Sequence, residues 1–94
     1  MDYRSAAIVS TKGVYSRYQS DETFGKFVLE SIGRYFRCDW GDLCPEDKQL
    51  NEEALIHGDR IFAAYVHPDD PETKIWIITE SDRSVTTILF PEEY

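Results

Sequence analysis

The order of apolar and polar residues along the chain is typical of an α+β domain. Residues 6–10 form a short apolar stretch rich in β-branched side chains, which predicts a first strand. The polar residues and glycine at 11–13 predict a turn after it. Apolar residues then recur every three or four positions from 24 to 36, and this spacing predicts an amphipathic helix over about residues 22–37.

A second helix is predicted from Pro45 to His57. Proline is favoured at the first position of a helix, and Gly58 suits the position just after its end. Cys44 occupies the capping position, where a thiol is a weak acceptor of hydrogen bonds. The apolar stripe expected to face the core is narrow and consists of Leu50, Ala54 and Leu55.

The last third of the chain reads as strands. Residues 60–66, 74–79 and 85–90 are apolar and β-branched, and the polar segments 68–73 and 80–84 between them are short enough for hairpin loops. The sequence therefore predicts a single domain over residues 1–94. Its expected fold is α+β, an antiparallel β-meander of three to four strands packed by two helices on one face.

The charge of the chain restricts its partners. The 94 residues include 18 acidic and 10 basic side chains, for a net charge of −8. Nucleic-acid binding normally requires a basic stripe, and no cluster of Lys and Arg occurs here, so direct binding to nucleic acid is not expected. The acidity favours a basic protein as partner. The alternative is that the charge serves only solubility.

The sequence suggests a cytoplasmic protein without membrane contact. It shows no signal-peptide pattern at its start, and no stretch approaches the roughly 20 apolar residues of a membrane span. Two cysteines, Cys38 and Cys44, are too few for the disulfide framework of a small secreted domain, so both are expected to be free thiols.

Residues suited to catalysis or metal binding are few. Cys38, Cys44, His57 and His67 are the right types for a zinc site or a Cys–His nucleophile, but their spacing matches no common motif. The five glycines are scattered and form no phosphate-binding loop. We therefore expect no enzyme activity, no catalytic residue, no cofactor and no metal.

The acidic residues are concentrated between positions 39 and 59. This segment contains seven acidic side chains and one basic side chain, Lys48, so its net charge is −6, seven minus one. A charged helix face is usually just solvated, and a binding surface is the competing interpretation. Trp40 adds a candidate exposed anchor, because tryptophan is enriched at interface hot spots. The predicted partner-binding residues are Asp39, Trp40, Asp42, Glu46, Asp47, Glu52, Glu53 and Asp59.

Four segments of the sequence carry a resemblance to known proteins: residues 38–43 (CDWGDL), 57–60 (HGDR), 74–84 (KIWIITESDRS) and 90–94 (FPEEY). They resemble a family of small bacterial plasmid-related proteins found on mobile elements. Some members carry a type I restriction-modification label, which does not suit a chain too short for a methyltransferase and without a cofactor-binding loop. Where the family has a serine cap, this chain has Cys44.

The resemblance implies mobile-element cargo, and cargo proteins of this size and charge often disable host defence. We therefore expect a non-enzymatic inhibitor of the anti-CRISPR type, bound to the basic nucleic-acid channel of a CRISPR effector. The alternative is a structural or regulatory plasmid-encoded interaction protein, a homodimer through an apolar sheet face, with no inhibitory role.

Overall fold

The computed structural model describes residues 2–94, which form three α-helices and a four-stranded sheet. Short 3-10 helices lie at Tyr3–Ser5 and Pro91–Glu93. The α+β class is confirmed, with one helix more than the sequence predicted. The elements in chain order are β1 (Ala7–Ser10), α1 (Lys12–Ser20), α2 (Glu22–Phe36), α3 (Pro45–His57), β2 (Ile61–His67), β3 (Asp70–Thr79) and β4 (Val85–Leu89).

The sheet is mixed, so the prediction of a purely antiparallel meander is wrong. Its strand order is β1-β4-β3-β2. The pairs β2–β3 and β3–β4 are antiparallel hairpins, whereas β1 runs parallel to β4. Parallel neighbours require a long crossover, and here all three helices and two strands lie between the paired strands in the chain. Periodicity within one strand carries no information about such a distant pairing.

Helix α1 begins where the sequence predicted a turn, and no helix was predicted over residues 12–20. The Thr11 side chain caps it by accepting a hydrogen bond from the Val14 N–H at 3.4 Å. Glu93, at the far end of the chain, accepts a bond from the Thr11 hydroxyl at 2.6 Å and one from the Gly13 N–H at 3.3 Å. This carboxylate satisfies the free Gly13 N–H of the first turn and complements the positive end of the helix.

The other two helices begin and end close to the predicted positions. Asp21 caps α2 by accepting from the Phe24 N–H at 3.1 Å. Helix α3 runs from Pro45 to His57 and is followed by Gly58, whose φ of 76° is the left-handed conformation expected after a helix. Cys44 makes no capping bond with its side chain, in line with the weak acceptor strength of a thiol.

Strand β3 begins four residues earlier than predicted. Residues 68–69 form a tight turn and pairing resumes at Asp70, after a register shift between Val66 and His67. The Asp70 carboxylate accepts the Thr73 hydroxyl at 2.6 Å. This local bond holds a polar segment in extended form, although the composition of the segment is that of a loop.

The hydrophobic core lies between the helices and one face of the sheet. Alternate strand residues share that face, and a buried hydroxyl chain joins it to α2, with Tyr35 Oη 2.5 Å from Thr79 Oγ1 and Thr79 Oγ1 2.8 Å from Thr86 Oγ1. The core cluster consists of Tyr3, Val14, Phe24, Phe27, Val28, Tyr35, Trp40, Ala54, Ile61, Ala63, Tyr65, Ile75, Ile77 and Ile88.

A buried arginine fixes the end of α3 against the β3–β4 loop. The Arg83 guanidinium donates to the carbonyl of Ala54 at 2.9 Å and to that of Asp59 at 2.6 Å. These carbonyls lie at the negative end of the helix, which a cation stabilises. The charge of Arg83 is thus compensated by backbone dipoles, and α3 is held at a defined position along β2.

Candidate protein-interaction surface

The acidic segment predicted from the sequence folds along the outer edge of β2. Gly41 forms an isolated bridge to Ala64, with the Asp42 N–H 2.7 Å from the Ala64 carbonyl and the Ala64 N–H 3.4 Å from the Trp40 carbonyl. Helix α3 follows and packs against the same strand. The eight predicted residues therefore share one end of the molecule, but the structure gives them different environments.

Trp40 is part of the core, so its prediction as an exposed anchor is wrong. It is 3% exposed, with its ring centroid 5.6 Å from Tyr35 and 6.0 Å from Tyr3. Its indole N–H donates to Glu52 Oε2 at 2.6 Å. Neighbouring acidic residues suggested solvent exposure, yet the bridge at Gly41 turns the indole inward, and Glu52 satisfies its polar atom.

Three of the seven predicted carboxylates are engaged within the protein. Glu52 holds the Trp40 indole, as described above. Asp42 accepts from the Val66 N–H at 3.1 Å and thereby ties the connector to β2. Asp39 forms two bonds with the Arg34 guanidinium, at 2.8 and 3.2 Å, and accepts from the Gly41 N–H at 3.2 Å. These groups stabilise the fold and are less available to a partner.

The Arg34 guanidinium holds the pKa of Asp39 below its ordinary value, and the Gly41 N–H acts in the same direction. A lowered pKa in the folded state means that the stabilisation is complete above the unfolded-state pKa of about 4 and is lost as the pH falls through the folded-state pKa. Both side chains are partly exposed, which limits the effect at pH 7 to under about 1 kcal/mol.

We expect Asp39→Asn to lose less stability than the wild type when the pH falls from about 5 to about 2. Urea unfolding across this range measures the difference. Asp59→Asn is the control, because the Asp59 carboxylate has no hydrogen-bond donor or ion-pair partner among residues 2–94. Parallel pH profiles for Asp39→Asn and the wild type would show that the Arg34 pair does not influence folding.

Helix α3 is rotated relative to the prediction. Leu50, expected in the core, is 62% exposed, and Asn51 is buried in its place. The Asn51 amide donates to the Phe62 carbonyl at 2.6 Å and accepts from the Phe62 N–H at 3.2 Å. These two bonds occupy the N–H and C=O groups of Phe62, so that another part of the β2 edge cannot pair with a further strand. Helical periodicity missed them, because Asn51 is polar and its partner is backbone.

Four predicted acidic residues remain free on the outside of α3 and at its end. Glu46, Asp47, Glu53 and Asp59 are exposed. The ion pairs found among residues 2–94 lie elsewhere, at Arg4–Asp2, Arg17–Asp21 and Arg34–Asp39. Glu46 and Asp47 belong to the first turn, where negative charge is favourable. Glu53 is two turns from Glu46, a separation of about 10 Å along the axis.

Two large aliphatic side chains lie among these carboxylates. Leu50 is joined by Ile56, which is 79% exposed. We call Glu46, Asp47, Leu50, Glu53, Ile56 and Asp59 the α3 acidic face. Exposed aliphatic side chains surrounded by polar ones match the apolar centre and polar rim of a protein interface. The sequence located the charges but placed Leu50 in the core and did not single out Ile56.

The cysteines and histidines do not form a site. Cys44 is exposed, and Cys38 lies 3.6 Å from the Tyr3 hydroxyl. His67 is buried against Phe27 and accepts the Asp69 N–H through Nδ1 at 3.1 Å. Among residues 2–94, no three His, Cys, Asp or Glu side chains lie close enough together to hold a metal ion.

A surface cleft of about 690 Å³ separates α1 from β3 and the C-terminal 3-10 helix. It contains the bond from Arg17 to the Thr73 hydroxyl at 3.1 Å, and neither histidine nor cysteine lines it. The cleft therefore contains no Cys–His pair.

Comparison with known proteins assigns no family. The chain matches no family model, no curated protein and no solved structure. None of the helices within residues 2–94 has the length and apolar character needed to cross a membrane. The geometry of the surface is therefore the basis for the functional conclusion.

Proposed function

We propose that the protein is a non-enzymatic cytoplasmic inhibitor of a host defence system that targets nucleic acids, of the anti-CRISPR type. In this proposal the α3 acidic face binds the basic surface on which the defence protein holds its nucleic acid. The observation that carries the proposal is the group of free carboxylates around Leu50 and Ile56.

The charge of the molecule supports this partner class. A protein with net charge −8 is attracted to a positive channel and repelled by nucleic acid. CRISPR effectors hold the guide–target duplex in such a channel. The sequence also suggests a resemblance to mobile-element proteins at residues 38–43, 57–60, 74–84 and 90–94. Such a relationship would favour the same class, because mobile elements gain from disabling host defence.

The geometry of the face favours binding over solvation alone. Carboxylates that already have cation partners, such as Asp39, would exchange one ion pair for another on binding. In the described part of the chain, residues 2–94, no cation pairs with Glu46, Asp47, Glu53 or Asp59. Leu50 and Ile56 can supply the apolar contact that a purely electrostatic encounter lacks. Such binding should weaken as salt concentration rises.

A DNA-cleavage assay with purified CRISPR effector–guide RNA complexes tests the proposal. We expect the wild type to inhibit cleavage and the double variant Glu46→Lys/Glu53→Lys to bind about 100-fold more weakly, because opposite charges at the interface become like charges. Glu52 is left unchanged in this design, since it stabilises Trp40.

The matched control is Glu30→Lys/Glu72→Lys, which changes the net charge equally at exposed positions away from α3. It should retain most of the inhibition. Equal loss in both double variants would show that only bulk charge matters. Absence of inhibition and of binding by the wild type, across effectors of several types, would favour the alternative of a plasmid-encoded interaction protein with no inhibitory role.

A further inference from the structure

The two edge strands of the sheet, β1 and β2, differ in whether their outward backbone groups are already hydrogen-bonded. On β2, Asn51 and the 40–42 connector bind the outward N–H and C=O groups of Phe62 and Ala64, and Asp42 binds the Val66 N–H. This edge is therefore blocked against any further strand. Such protection is usual, because an open edge is a template for pairing with another chain.

Within residues 2–94, strand β1 has no comparable protection. The N–H groups of Ala7 and Thr11 donate to the carbonyls of Ser84 and Ile88 at 3.2 and 3.0 Å. Since alternate residues of a strand direct their backbone groups to opposite sides, Ile8 and Ser10 direct theirs away from the sheet. All four residues of β1 are exposed. Two N–H and two C=O groups are thus available at this edge.

The groove beside this edge is largely apolar, and none of the residues that line it is charged, although 30% of the chain is charged. Tyr15 is 56% and Tyr18 is 39% exposed, which together amount to about one whole tyrosine, on the order of 200 Å². Leu29 adds to this area. A shallow groove here is lined by Ile8, Val9, Ser10, Val14, Tyr15, Tyr18, Val28, Leu29, Ile32 and Ile88.

The distribution of charge points to a second copy as the occupant. Residues 2–21 contain three basic and two acidic side chains, and Arg4 and Arg17 pair with Asp2 and Asp21. The segment around β1 is therefore nearly neutral, whereas the remaining seven basic and 16 acidic residues give the rest of the chain a charge of −9. Helix α3 packs on β2, at the opposite edge of the sheet. Two copies can therefore meet at β1 without bringing their acidic surfaces together.

We propose that β1 is the interface of a symmetric homodimer in which the β1 strands of two copies pair antiparallel, with the two-fold axis at Val9. Ile8 then lies opposite Ser10 of the second copy, and the two such pairs form four hydrogen bonds. The result is a continuous eight-stranded sheet with an α3 acidic face at each end. The pairing stands independently of the proposed inhibitory function.

The first experiment measures mass against concentration by sedimentation equilibrium. Ser10→Pro removes an N–H that points away from β4, and proline is tolerated at such edge positions. We expect a reversible dimer for the wild type and for Ser10→Ala, and a dissociation constant about tenfold higher or more for Ser10→Pro. A monomeric wild type, or equal dissociation constants for Ser10→Pro and Ser10→Ala, would overturn the proposal.

The second experiment tests the register in a nearly unchanged protein. Residues facing each other at a non-hydrogen-bonded antiparallel position have Cα atoms about 4.5 Å apart, which permits a disulfide. In a Cys44→Ala background, Val9→Cys should form a covalent dimer under mild oxidation, and Glu53→Cys on α3 should not. Equally slow cross-linking of the two variants would contradict the pairing at β1.

Discussion

Replacing Gly41 with alanine should destabilise the protein by about 3 kcal/mol or more, while the same replacement at Gly58 should cost about 1 kcal/mol. Both glycines have a left-handed backbone, with φ of 77° and 76°. They differ in their surroundings. A Cβ on Gly41 would lie 2.0 Å from the Ala64 carbonyl oxygen and 2.8 Å from the Tyr65 ring, whereas nothing lies within 4 Å of one on Gly58.

The difference follows from the bridge between the connector and β2. An added methyl group at Gly41 must push the connector away from Ala64, which breaks the bond between the Asp42 N–H and the Ala64 carbonyl. At Gly58 the substitution adds only the cost of the left-handed conformation. Urea unfolding followed by far-UV circular dichroism measures both changes. Similar losses for the two variants would mean that the close approach at Ala64 contributes nothing.

Trp40→Ala should cost about 3 to 5 kcal/mol, which is the range for removing a large buried aromatic side chain. The substitution leaves a cavity beside Tyr3 and Tyr35. It also removes the indole N–H that donates a hydrogen bond to Glu52, although the Glu52 carboxylate can turn to solvent. Thermal and urea unfolding followed by circular dichroism are suitable measurements, since tryptophan fluorescence itself changes.

Two further variants separate the contributions at this position. Trp40→Phe fills much of the volume but lacks the indole N–H, so it should be clearly less destabilising than Trp40→Ala. Leu50→Ala removes an aliphatic side chain that is already exposed, and it should cost about 0.5 kcal/mol or less. If Trp40→Ala were as mild as Leu50→Ala, the indole would have to be exposed in solution, as the sequence had suggested.

The elements that the sequence predicted well depend on local signals. Pro45 marks the start of α3 and Gly58 marks its end, because each residue favours a particular backbone conformation through its own covalent structure. The apolar residues of helix α2 recur every three or four positions and so define its buried face. Strands β2 and β4 are apolar runs bounded by polar loops. In these cases the information needed lies within about one element of the chain.

The elements that were missed depend on distant partners. Helix α1 has few strong helix-forming residues, and Glu93 caps it from 80 positions away along the chain. The parallel pairing of β1 depends on β4. The errors at the candidate surface have the same cause. Trp40 is buried instead of exposed and Leu50 is exposed instead of buried. Both differences follow from the contacts of Gly41 and Asn51 with the β2 backbone. Composition located the acidic segment, and only the fold separated its free carboxylates from the engaged ones.

The contact between Glu93 and the start of α1 has a consequence for the order of folding. Glu93 lies 80 positions from Gly13 along the chain, and β1 pairs with a strand that begins at Val85. Both contacts close long loops, and contacts between residues distant in sequence form slowly. Helix α3 and the β2–β3 hairpin, whose contacts are local, can form earlier. We therefore expect β1 to pair with β4 late in folding, and the β4 edge stays open until it does.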